Sequence, residues 1–212
     1  MNPDPRRHST VDQLLIGIQQ LGQSRSVTTT PSPAEQWPET LLTDPEKRHV
    51  TGLMRVNHAG EIAAQGLYIG QAATARGETT RNLLRNAGQE EQNHLHWCHQ
   101  RLTELSAKPS ALTPIWHAGS ILIGGLNGLR GDRWSLGFVA ETEHQVEKHL
   151  SKHLSRLPPG DQRSRAIIEQ MISDEVHHRA SAIEAGSRAL PWPVRIAMRI
   201  SARVMTITAY RF

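Results

Sequence analysis

From about Asp44 onward, apolar residues recur every three or four positions, the period of helices that bury one face. The spacing predicts helices over 45–76, 79–107, 131–156, 161–188 and 193–208, with breaks at Gly77, "KPS", "LPPGD" and "LPWP". No stretch alternates apolar and polar residues as a half-buried strand would, so the predicted fold is all-α. Upstream, residues 1–10 read as disordered, and Val11, Leu14, Leu15, Ile18 and Leu21 then fall at helical spacing. The stretch "GQSRSVTTTPSPAEQWPET" reads as a linker in which Pro31, Pro33 and Pro38 oppose regular structure. The chain thus divides into 1–43, an amphipathic helix with a Pro/Ser/Thr-rich linker, and 44–212, one helical domain.

Two of the predicted stripes are interrupted in the same way. In the second helix the buried face runs Leu84, Ala87, Gly88, Glu91, His94, Leu95, Cys98, Leu102; in the fourth it runs Ile168, Met171, Ile172, Glu175, His178, Ala182. Each places Glu-x-x-His in an otherwise apolar or small face, where a lone carboxylate costs several kcal/mol unless it is paired. One such motif fits a Glu–His hydrogen bond in a polar gap as well as it fits a metal site. The helices before them each add one carboxylate: Glu61, in "RVNHAGEIAAQGLYIGQ", and Glu143, on a face with Val139, Ala140, Val146 and Leu150. Thirty residues separate Glu61 from Glu91, and thirty-two separate Glu143 from Glu175. Each half is therefore a hairpin bearing Glu on one helix and Glu-x-x-His on the next. Two antiparallel hairpins packed together aim four Glu and two His inward at one level, the donor set of a ferritin-like four-helix bundle with a dinuclear centre. Carboxylates with one imidazole per ion suit iron, and after it manganese, better than the closed tetrahedral sites of zinc.

Rival residues sort by face. A third Glu-x-x-His, Glu141 to His144, shares its side with Gln145 and Lys148 and is expected to face solvent, leaving Glu143 for the centre. Glu90 is expected to point toward the polar side of Asn86 and Gln89; His149 and His153 have the i,i+4 spacing of a metal pair but are expected on an exposed face, as are His96, His99 and His177. Leu84, Val146 and Ile172 are placed either to wall a cavity beside the centre or to serve as plain core.

The remaining features narrow the class. Cys98 is the only cysteine among 212 residues, which excludes a disulfide framework and a Cys-based zinc or rubredoxin-like iron site and fits a reducing compartment. The start, "MNPDPRRHSTVDQ", has no apolar core of signal-peptide length. Phe and Tyr number two each against twelve His, a poor stock for base stacking, and no nucleic-acid partner is expected. Net charge is +4 and pI about 9.7, an excess that suits an anionic surface. The region 109–130, "PSALTPIWHAGSILIGGLNGLR", is apolar but crowded with glycine, with no uninterrupted apolar run near the ~20 residues of a spanning helix. It is expected to form a short buried or membrane-contacting helix. In the last helix Arg195, Arg199 and Arg203 follow one edge beside Ile196, Ile200, Val204 and Ile207, as in helices that lie on an anionic bilayer.

The segments "LMRVNHAGEIAAQGLYIGQ", "EEQNHL", "VAETEHQVEKHL" and "DEVHH" resemble the bacterial demethoxyubiquinone hydroxylases of ubiquinone biosynthesis, and the resemblance runs from about Asp44 to the C-terminus. It implies that Glu61 and His94 serve one iron, Glu143 and His178 a second, and Glu91 and Glu175 bridge them, giving two Fe ions per chain. It further implies an O2-dependent monooxygenase acting on a polyprenylated quinol, peripheral on the cytoplasmic face of the bacterial inner membrane, with partner proteins of the same pathway. The other class open to such a bundle is an iron-oxidising or iron-storage protein. The basic charge and glycine-rich insert speak against it, as the lack of further cysteines speaks against rubrerythrin-like peroxidases.

Overall fold

The computed structural model describes residues 30–211, and among them every regular element is helical. A 3-10 turn, Pro33–Gln36, precedes α1 (Asp44–Thr74), α2 (Glu78–Glu104), α3 (Thr113–Gly128), α4 (Asp132–Leu154), α5 (Gln162–Glu184) and α6 (Trp192–Arg211). These match the expected segments to within a few residues. The expected helix over Val11–Leu21 lies outside the described residues.

Local chemistry sets the helix starts. Thr43 caps α1 in a reciprocal capping box with Glu46. Asp161 caps α5 by accepting the Ser164 amide at 3.0 Å. Asp132, in the first turn of α4, accepts the amides of Arg76 and Gly77 at 2.9 and 2.7 Å, tying the α1–α2 turn to the α3–α4 turn. Helices α1 and α2 form one hairpin and α4 and α5 the other.

The bundle interior has two apolar layers. One gathers Val50, Leu53 and Met54 of α1, Cys98 and Leu102 of α2, Leu150 of α4, and Ile167, Ile168 and Met171 of α5. The other gathers Ala64 and Tyr68, Leu84 and Ala87, Leu136 and Val139, and Ala182. Between these residues, on all four helices, lie the six Glu and His of the interrupted stripes. The sequence positions alone therefore force a polar layer sandwiched between apolar ones.

Helix α3 is held by missing side chains. It runs beside α1 in the same direction, with Gly66 against Ser120, Gly70 against Ile121 and Gly124, and Gly128 against Thr74. A Cβ on Gly70 would collide with the Ile121 carbonyl oxygen, and one on Gly124 with that of Leu67. The glycines thus let two backbones meet, while Ile115, Leu122, Ile123, Leu126 and Leu129 stay exposed. Helix α6 returns across the same side: its Ala209 packs with Val56 and Ala59 of α1, next to Trp116 of α3. Its Ile196, Ile200, Val204 and Ile207 are exposed. Arg195 is not part of a free basic edge, because it pairs with Glu141 at 2.8 Å. Among the described residues no helix is long and apolar enough to cross a membrane.

The second half of the expected linker is bound to the bundle. Pro33 opens the 3-10 turn rather than opposing it, with Ser32 as cap and Ala34 buried. Trp97 donates to the Thr30 carbonyl at 2.9 Å, and the fully buried Arg101 holds Glu39 at 2.7 Å together with Asp161 and Glu104.

Candidate metal centre

All six stripe residues are buried: Glu61, Glu91, His94, Glu143, Glu175 and His178. Donor atoms of Glu61, Glu91, His94 and Glu175 lie within 4.8 Å of one another, a group able to hold a metal ion. Both imidazoles turn Nδ1 inward. His94 Nδ1 is 3.0 Å from one Glu91 oxygen and 3.6 Å from one Glu175 oxygen. His178 Nδ1 is 3.1 Å from the other Glu91 oxygen and 3.5 Å from the other Glu175 oxygen. Each of these two carboxylates thus spans both rings. Glu61 approaches His94, at 3.6 Å, while Glu143 and His178 lie outside the group of four, His178 joined to it through Glu91 and Glu175.

The outward nitrogens are also held, across the hairpins. His94 Nε2 lies 2.9 Å from Asp174 of α5, and His178 Nε2 2.8 Å from Glu90 of α2. A carboxylate on Nε2 orients the ring and leaves Nδ1 as the donor toward a metal. Glu90, expected to keep to its own polar side, instead reaches across to His178, because the packing of α2 on α5 brings that ring within range. Asp174 was not anticipated. The signal existed in the acidic residue that precedes each Glu-x-x-His, in "EEQNH" and "DEVHH".

The electrostatics are those of a site built around charge. Burial, then the neighbouring Glu91, raises the Glu61 carboxyl well above the usual range. Burial, then Glu175 and Glu91, does the same for Glu143. Burial works against a charged His178, but the close Glu175 and Glu91 carboxylates prevail and push it up to about 12. His94 moves in the same direction: burial opposes its charge and Glu91 overrides it. Protons therefore do part of the neutralising that a cation would do. They do it incompletely, since Glu61 Oε2, Glu91 Oε1, Glu175 Oε2 and His178 Nδ1 are buried without a hydrogen bond of acceptable geometry. Orphaned oxygens and an imidazole nitrogen in one enclosed layer fit hard divalent ions of the iron or manganese kind.

Glu143 rather than Glu141 enters this layer. Glu141 does not face open solvent as expected; it is partly covered by α6 through Arg195. Tyr68, unanticipated, donates its phenol to Glu143 at 2.6 Å from the adjoining layer. Beside this pair, Ala64, Leu67, Tyr68, Gln71, Val139, Thr142 and Glu143 line a narrow cleft between α1 and α4. Leu84, Val146 and Ile172 do not line it: Leu84 belongs to one apolar layer, while Val146 and Ile172 pack against the other. Of the other histidines, His96, His99 and His177 are exposed as expected. His153 is instead buried, 2.8 Å from the Asn57 carboxamide, with His149 against it at 4.0 Å between ring centroids.

A model of the family described as ubiquinone biosynthesis protein COQ7 matches residues 48–209. The 3-demethoxyubiquinol 3-hydroxylase of Xanthomonas campestris pv. campestris (strain 8004) is 49% identical, over 99% of this chain and 98% of its own. Those of Xanthomonas axonopodis pv. citri (strain 306) and Xylella fastidiosa (strain Temecula1 / ATCC 700964) are 51% and 50% identical, each over 97% of this chain and 96% of their own. With half its residues shared over nearly its whole length, the chain belongs to the COQ7 family of ubiquinone biosynthesis proteins.

Proposed function

We propose that this protein hydroxylates the ring of a polyprenylated demethoxyubiquinol, using O2 and two electrons, at a centre of two iron ions. Relatives that share half its residues carry the name 3-demethoxyubiquinol 3-hydroxylase. Glu61 and His94 would hold one ion, Glu143 and His178 the other, and Glu91 and Glu175 both. The observation that carries this reading is the placement of Glu91 and Glu175, each with an oxygen on either imidazole. When bound, such an ion pair supplies reductive activation of O2, with one oxygen atom passing to the ring and the other leaving as water.

The chain's own residues do the rest. The apolar layers above and below keep water from the centre. Asp174 and Glu90 fix the two imidazoles, and Tyr68 fixes Glu143. The narrow cleft bounded by Ala64, Leu67, Val139 and Thr142 reaches Glu143 but is closed to a water molecule, so a quinol ring approaching by this route would have to part α1 from α4. It lies between α1 and α4, the two helices that α3 and α6 pack against, and both α3 and α6 turn apolar side chains outward. Those faces suit peripheral seating on the cytoplasmic side of the inner membrane, from which a prenylated substrate and pathway partner proteins are reached.

The test is turnover in detergent with a prenylated demethoxyquinol, a reductant and isotopically labelled O2. One labelled oxygen atom in the ring product is expected. No product from iron-loaded protein, or equal product from metal-free protein, would overturn the proposal.

A further inference from the structure

Resting on the reading of α3 and α6 as membrane-facing, we propose that Arg130, Arg133 and Arg188 form a receptor for the phosphate of an anionic membrane phospholipid. A recess of about 490 Å³ opens where α3 ends and α4 begins, lined by Arg130, Gly131, Asp132, Arg133, Trp134 and Arg188. Asp132 is the one carboxylate among these residues, and both its oxygens are occupied by the amides of Arg76 and Gly77. None of the three guanidiniums forms an ion pair with a carboxylate of the described residues.

The recess is built rather than incidental. The Arg188 amide donates to the Arg133 carbonyl at 2.7 Å, fixing the α5–α6 connection on the first turn of α4. Gly137 permits this, since a Cβ there would strike the Arg188 carbonyl oxygen. Arg133 Nε is held by the Gly186 carbonyl at 3.3 Å, and Arg130 lies over the Trp134 ring.

The surroundings identify the anion. Leu126 and Leu129, both exposed, lead into Arg130 along α3, and Trp192, 71% exposed, opens α6 four residues after Arg188. A phosphate with acyl chains satisfies the guanidiniums and covers these side chains together; a free phosphate satisfies only the first. The occupant is therefore a phospholipid headgroup, with its chains along α3 and α6.

Co-sedimentation of the full chain with vesicles of phosphatidylcholine, alone or mixed with phosphatidylglycerol, tests this. Arg130, Arg133 and Arg188 changed together to Gln should lower binding to the mixed vesicles about a hundredfold, at about fivefold per arginine. Binding to phosphatidylcholine alone should be unchanged. A control with Arg48, Arg85 and Arg156 changed to Gln loses the same charge elsewhere and should fall by less than a tenth of that factor, with circular dichroism melts confirming that both variants fold. Equal losses in the two variants, or no loss in the first, overturns the headgroup site while leaving membrane seating intact. Inorganic phosphate that binds wild type but not the triple variant, while both sediment equally with the mixed vesicles, also overturns it, assigning the recess to a free anion. Wild type that ignores both vesicles refutes membrane seating itself, and the headgroup site with it.

Discussion

Changing Tyr68 to Phe removes one oxygen from an enclosed place and little else. The phenol donates to Glu143 at 2.6 Å, with both groups buried. Without metal, burial and the charges of Glu175 and Glu91 hold Glu143 protonated, so the lost bond joins neutral groups and costs about 1 kcal/mol. With an ion against it Glu143 is ionised, and a hydrogen bond to a charged acceptor is worth about 2–3 kcal/mol. The difference, about 1–2 kcal/mol, falls on metal affinity: the ion on the Glu143 side should bind about five- to thirtyfold more weakly. Ferrous titration against a chelator, with thermal melts of metal-free and loaded protein, reads both quantities. The ion served by Glu61 and His94 should be little affected. Equal weakening of both ions, or of neither, would refute this reasoning.

Glu143→Gln should abolish hydroxylation, whereas Glu141→Gln, losing only a partly exposed pair with Arg195, should keep near-normal turnover and lose under about 1 kcal/mol of stability. Gly124→Ala should push α3 from α1, since its methyl meets the Leu67 backbone; overpacking of this kind costs about 1–3 kcal/mol, visible as a lower melting temperature. Above about pH 7, where His58, His149 and His153, lowered by burial to about 4, 4 and 3, no longer titrate in either state, the metal-free fold should lose stability as pH rises to about 9. Glu61 and Glu143 have folded pKa values raised above 4.5, so their contribution is complete below 4.5 and erodes as pH climbs toward the folded values. His178, raised from 6.5 to about 12, contributes fully below 6.5 and erodes above it. Glu91, burial notwithstanding, is lowered by His94, and its contribution is lost only in acid below 4.5. Loaded protein should lack this decline, because the ions replace the protons; a metal-free melting temperature that rises over the same range would contradict it.

The helices and the six buried donors were legible because both rest on local periodicity: a charged residue in an apolar stripe is visible without knowing its partner. What escaped depends on packing between elements. Asp174 and Glu90 act on imidazoles of the opposite hairpin, and Tyr68 on a carboxylate of α4, distances that no single-helix stripe encodes. The glycines of 109–130 were seen, but their pairing with Gly66 and Gly70 of α1 needed the structure. His153 read as exposed because its helix face is polar, yet Asn57 from α1 closes over it.

Iron quantitation by mass spectrometry, run on the same preparations as the quinol assay, bears hardest on the two-ion centre. Wild type should hold two irons per chain and give product only with reductant and O2, and Glu175→Ala should lose both ions and all product together. A chain that takes up many irons without making product would be a storage protein, and a Glu175→Ala chain that keeps both irons would contradict the shared role of Glu91 and Glu175.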